Sequence, residues 1–155
     1  MNRILACAVI VAATLAAVTL PVVAKGRTVK LTITGPGITG TLDVTAPAAL
    51  ANVWGGEFLA GPAAEPDADL PRYVVSFYVA LPQTTSAAPS EVRVMYVVEY
   101  CRDPLTGVGY VYLPWRGDDR YWLNARTILR EGQDGTWQRA TPAWSHAVAA
   151  AIWPN

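Results

Sequence analysis

Hydrophobic and polar positions alternate along most of this chain. Over residues 28–34, Val29, Leu31 and Ile33 alternate with Lys30, Thr32 and Thr34, the period of a half-buried strand. After a turn at Gly35, Pro36 and Gly37 the alternation resumes, with Ile38, Leu42 and Val44 on one face and Thr39, Thr41 and Asp43 on the other. The two runs predict a first hairpin, with Gly40 as a candidate bulge. Thr45 and Pro47 ahead of an Ala-rich run to Asn52 have the form of a helix start, so one or two helical turns are expected, packed down by Val53 and Trp54.

From residue 55 to 71 the periodicity fails and Gly, Pro, Ala and acids take over, which predicts a long surface loop. Order returns at 72–81. Tyr73, Val75, Phe77, Val79 and Leu81 form an apolar face, and Val74, Tyr78 and Ala80 make the second face mostly apolar too, the pattern of an interior strand covered on both sides. A polar connection over 82–90 then leads into a hairpin at 91–114, expected to pair antiparallel to that strand.

In this hairpin the turn chemistry is explicit. Asp103 can accept from nearby amides, Pro104 presets φ and Gly107 admits a left-handed backbone. A loop of 104–107 closed by Asp103 and Val108 assigns the faces. Val92, Val94, Tyr96, Val98, Tyr100, Val111 and Leu113 form a core surface, while Arg93, Met95, Val97, Glu99, Cys101, Val108, Tyr110 and Tyr112 form a mixed one. Glu99 sits there among tyrosines, to be satisfied by Arg93 or a tyrosine hydroxyl, or else to act as an acid in an aromatic cleft.

The stretch 115–122 packs Trp115, Arg116, Asp118, Asp119, Arg120, Tyr121 and Trp122 together. Its Arg116-Gly117-Asp118 tripeptide matches the sequence that integrins recognise, but it reads as an ordinary polar turn with the flanking tryptophans folded inward. Residues 121–130 fit a strand or a helical turn, 131–135 a turn, and 136–140 a short strand carrying Trp137. Thr141 and Pro142 then open a helix over 142–153, in which Trp144, Val148 and Ile152 recur every four residues with His146 off the stripe. The expected fold is mainly β (α+β): an antiparallel sheet or β-sandwich of about six or seven strands with one C-terminal helix packed on it.

The N-terminus changes the cellular setting. Arg3, an apolar run over 4–20, Pro21 and the small Ala24 predict a secretory signal peptide over 1–24, leaving a single β-rich extracytoplasmic domain over 25–155, periplasmic or extracellular in a bacterial cell. Retention of the segment as a membrane anchor is the disfavoured alternative, and Cys7 lies too early for a lipoprotein signal. Without 1–24 the chain carries 11 Lys and Arg against 12 Asp and Glu, a formal −1, so nothing marks it for nucleic acid. Cys101 would then stand alone, and an unpaired thiol at a strand end is expected to be buried and inert.

Candidate chemistry is sparse. The acids Glu65, Asp67 and Asp69 are a partial calcium set without the glycine and distal glutamate of an EF-hand, and read as a solvated loop. His146 is the one histidine, no nucleophile motif surrounds it, and a Cys101–His146 dyad is disfavoured. No catalytic residue, metal or cofactor is assigned. Six tryptophans and seven tyrosines favour binding, with Glu99, Tyr110, Tyr112, Trp115, Arg116, Asp118 and Trp122 as candidate site residues and a glycan or envelope protein as partner. The expectation is therefore a non-catalytic binding or envelope-associated module. The alternative is a small carboxylate-based hydrolase drawing on Glu57, Glu99, Asp118 and Asp119.

Overall fold

The computed structural model describes residues 26–82, 90–120 and 133–154. The expected signal segment and the expected element over 121–130 lie outside the described residues. Among the described residues the strands are β1 (Arg27–Thr34), β2 (Leu42–Val44), β3 (Leu59–Pro62), β4 (Tyr73–Ala80), β5 (Val92–Arg102), β6 (Gly109–Tyr112) and β7 (Trp137–Ala140), followed by helix α1 (Pro142–Ile152). They form one antiparallel sheet in the order β2-β1-β4-β5-β6-β7-β3, the mainly β fold with a C-terminal helix that the sequence predicts.

The 91–114 hairpin folds as its turn residues dictate. Asp103 N donates to Val108 O at 3.0 Å and Gly107 N to Asp103 O at 2.8 Å. Asp103 Oδ1 accepts from Leu105 N at 2.8 Å and Oδ2 from Thr106 Oγ1 at 2.7 Å, and Gly107 takes φ +73°. Tyr100 consequently faces Val111 while Glu99 faces Tyr112 and Cys101 faces Tyr110, the expected register.

β4 is interior as expected, between β1 and β5. Its odd positions are buried, but the Val74, Ser76, Tyr78 and Ala80 side is only half-buried rather than covered. A register shift between Phe77 and Tyr78 corrects the face assignment of β5. Phe77 pairs with Tyr96 but Tyr78 pairs with Val94, so Met95 is an extra residue and Val92 to Val94 change sides. Val92 is therefore exposed and Arg93 does not share a face with Glu99; Arg93 pairs with Glu91 instead.

Three further expectations change. β1 also shifts register between Thr28 and Lys30, which buries Thr28 in place of Val29, and Thr28 Oγ1 donates to Ala51 O at 2.8 Å. The first hairpin pairs only Leu31 to Ile33 with β2, so Gly40 lies in a longer loop and is no bulge. The helical run after Thr45 is a single 3-10 turn, Pro47–Ala49, whose N-cap is Ala46. Val53 is fully buried and Trp54 packs against the core, with Trp54 Nε1 donating to Gly26 O at 2.7 Å.

The 55–71 stretch is not all loop. Phe58 is fully buried, and Leu59 to Pro62 make the edge strand β3 against β7. Alternation could not reveal it, because a four-residue edge strand holding Gly61 and Pro62 needs little β-propensity of its own. Phe58 joins Phe77 and Tyr100 around Trp144 of α1, with ring centroids at 5.4, 6.1 and 5.5 Å from the indole. Trp144 Nε1 donates to Ala49 O at 3.0 Å, fixing the helix over the 3-10 turn. Thr141 occupies the N-cap as expected, although its hydroxyl donates to Glu57 O rather than capping α1. The helix thus covers the sheet face that carries Phe77 and Tyr100, and leaves the Glu99 and Tyr112 face free of it.

Candidate functional site

The alternation of β5 and β6 delivers Glu99 and Tyr112 side by side on the face turned away from α1. Arg72, one residue before β4, reaches the same point. Its Nη1 donates to Glu99 Oε1 at 3.2 Å and its Nη2 to Glu65 Oε1 at 3.3 Å, while Arg120 Nη1 donates to Glu99 Oε2 at 2.8 Å. Glu99 therefore has one guanidinium on each carboxylate oxygen, and its side chain is 15% exposed.

The Arg72 guanidinium also lies over the Trp137 ring, 4.9 Å from the centroid. Trp137 in turn tilts against Tyr112 at 5.3 Å, and Tyr112 Oη donates to Asp118 Oδ2 at 3.0 Å. The same Asp118 oxygen accepts from Trp115 N at 2.9 Å, closing a tight turn through Arg116 and Gly117. Glu65, Arg72, Glu99, Tyr112, Asp118 and Trp137 line an open cleft of about 380 Å³.

Local fields follow from this packing. Burial, reinforced by the hydrogen bond to Asp118, pushes the Tyr112 phenol up to about 12. Burial alone would lower Arg72, but its bonds to Glu65 and Glu99 outweigh it and hold the guanidinium above its ordinary value. Burial likewise pushes the Cys101 thiol up to about 11, with Arg72 only partly opposing it.

Trp115 stands at the lip of the cleft and is 53% exposed, not folded inward. Its indole lies against Gly117, where a Cβ would come within 2.8 Å of the ring, and its own Cβ sits close to Gly135, which also lines the cleft. The ring is thus seated on two glycines with its remaining surface open to solvent.

Of the predicted site residues, Glu99, Tyr112, Asp118 and Trp115 come together. Arg116 is exposed on the turn and does not line the cleft. Tyr110 borders an adjoining cavity of about 330 Å³ with Glu65 and Arg139, and Trp122 lies outside the described residues. Sequence reasoning missed Arg72, Arg120 and Trp137. Arg72 and Trp137 begin or adjoin apolar strands and carry no motif, whereas Glu65 belongs to the acidic loop that reads as solvated in the sequence.

Other proposals separate in space. Cys101 is fully buried beside Tyr110 on the cleft face, whereas His146 is exposed on α1 across the sheet, so the two form no dyad. Asp67 Oδ1 accepts from Asp69 N at 3.0 Å, a local turn, and no cluster suited to a metal ion occurs among the described residues. Comparison with protein-family models, curated proteins and solved structures returned no match.

Proposed function

We propose that this chain is an exported, non-catalytic binding module of the cell envelope whose cleft beside Trp115 takes a glycan. The exposed indole of Trp115, held on Gly117 next to a polar cleft, carries this reading. A sugar ring offers an apolar CH face for stacking and hydroxyls for the charged walls, and an exposed aromatic beside hydrogen-bonding groups meets both needs. Three carboxylates (Glu65, Glu99, Asp118) against two guanidinium groups (Arg72, Arg120) favour a neutral or cationic ligand over an acidic one.

The carboxylate-hydrolase reading draws on one observation, that Glu99 and Asp118 line the same cleft. Both Glu99 oxygens are committed to arginine, however, and Asp118 Oδ2 to Tyr112 and the Trp115 amide, which leaves little for a glycosidic oxygen or a water. Retention of the purified mature chain on insoluble peptidoglycan and neutral polysaccharides, beside Trp115→Ala, tests the binding role. Retention by one polymer and its loss in the variant is the expected result. No retention, or retention unchanged by Trp115→Ala, overturns it, and release of reducing sugar would favour the hydrolase.

A further inference from the structure

A second cavity lies on the opposite side of the sheet, where the last turns of α1 meet the 91–114 hairpin. It encloses about 560 Å³, within the range of small-ligand pockets, and is independent of the Glu99 cleft. Ala149 and Ala150 form its floor. Trp153 forms a wall, 43% exposed and braced edge-on by Tyr73 at 5.6 Å between centroids, and Pro71 and Pro104 close the sides. These surfaces are apolar.

Into this apolar groove the alternation of β5 delivers a cation. Arg102 follows Tyr100 on the helix-facing side and lines the cavity with His146. Arg102 Nε donates to Gly107 O at 3.1 Å, which fixes the guanidinium plane. Among the described residues no carboxylate pairs with it: the adjacent Asp103 spends both oxygens inside the turn, on Leu105 N at 2.8 Å and Thr106 Oγ1 at 2.7 Å. A fixed guanidinium without a counter-ion among the described residues, at one end of a groove walled by an indole, complements a planar carboxylate on an apolar body.

We infer that this groove is a binding site for small organic carboxylates with an aromatic or compact aliphatic body, with Arg102 taking the carboxylate and Trp153 stacking on the body. His146 at the rim adds a second donor. The site does not depend on the glycan reading of the Trp115 cleft.

Titration calorimetry with 2-naphthoate and its uncharged counterpart 2-naphthamide tests the inference, with amide NMR shifts locating the ligand. Naphthoate is expected to bind about tenfold or more tightly than the amide, the scale of one charge-assisted hydrogen bond, and to shift Ala149, Ala150 and the Trp153 indole. Arg102→Gln should erase the preference for the acid, and Ala150→Trp, at an exposed helix position, should abolish binding of both by filling the groove. Equal binding of acid and amide, shifts centred on Tyr112 and Asp118 instead, binding that survives Ala150→Trp, or no binding of either at millimolar concentration would each overturn it.

Discussion

Arg120 donates to Glu99 at 2.8 Å, and with Arg72 on the other carboxylate oxygen this pair ties the turn after β6 to the middle of the sheet. Glu99 is mostly buried, so removing its charge takes the carboxylate away from Arg120 and leaves Arg72 only its bond to Glu65. Glu99→Gln is expected to lower stability by about 1–3 kcal/mol, the range for hydrogen bonds to charged groups left unmade. Arg93→Ala, at an exposed ion pair, should stay within about 0.5 kcal/mol. Urea unfolding of both variants checks the contrast; equal effects would mean that the Glu99 network is a solvated surface contact.

The reach of the sequence follows the range of the interactions. Asp103 and Gly107 act within their own turn, so the hairpin and its register were legible from local chemistry. Trp144, Val148 and the proline at 142 announce α1 in the same way. Nothing local marks the extra residue at Met95, because a bulge swaps sides without changing composition, and that single residue moved Arg93 away from Glu99. The Arg72–Glu99 pair spans 27 positions and the Arg120–Glu99 pair 21, so neither has a spacing to read. The candidate site was half legible for this reason: strand alternation supplies Glu99 and Tyr112, and topology alone supplies their partners.

Close approach of α1 to β6 depends on Gly109. A Cβ at this position would lie 2.8 Å from Ser145 Cβ and 3.0 Å from Tyr100 Cε2, beside the buried contact in which Tyr100 Oη and Ser145 Oγ lie 2.9 Å apart. Backbone and helix would both have to shift. Gly109→Ala is expected to cost about 1–3 kcal/mol as overpacking does, read as a lower urea midpoint with an unchanged slope. A midpoint equal to the parent's would show that the helix can ride outward freely.

Stability should fall on the alkaline side. Burial raises Cys101 from 9.0 to about 11 and Tyr112 from 10.0 to about 12, and burial raises Tyr100 as well, against the opposing hydrogen bond with Ser145. An acid that holds its proton more tightly when folded contributes stability that is fully present below its unfolded pKa and lost as pH climbs through its folded one. For Cys101 that window runs from 9.0 to about 11, and for Tyr112 from 10.0 to about 12. Urea midpoints measured against pH should be level near neutrality and decline from about pH 9, with the early part of the decline missing in Cys101→Ala. A midpoint still level at pH 10.5 would contradict the burial of these groups.

The same burial protects the thiol. Cys101 has no exposed surface, and its raised pKa leaves almost no thiolate at neutral pH. In a chain beginning at residue 25, which lacks Cys7, reaction with a disulfide reagent such as dithionitrobenzoate should be slow in the native state and complete within seconds in denaturant. Rapid native modification would instead reveal an accessible thiol on the cleft face.

Gly117 offers the sharpest test of how Trp115 is presented. A methyl group there would meet the indole at 2.8 Å from Cε2, while the turn itself is exposed and held by the Asp118 bonds to Trp115 N and Tyr112. Gly117→Ala should therefore unseat the ring without unfolding the sheet. The expected signature is a urea midpoint near the parent's, a red-shifted and less polarised Trp115 emission in a background where the other tryptophans are accounted for by Trp115→Phe, and weakened retention on whichever polymer the parent binds. Because the ring keeps its chemistry in this variant, a loss of retention would assign the effect to the seat on Gly117 and Gly135 rather than to the presence of an indole. Retention equal to the parent's, with the emission shifted, would mean that a mobile Trp115 serves as well as a fixed one and that pre-organisation contributes nothing to binding.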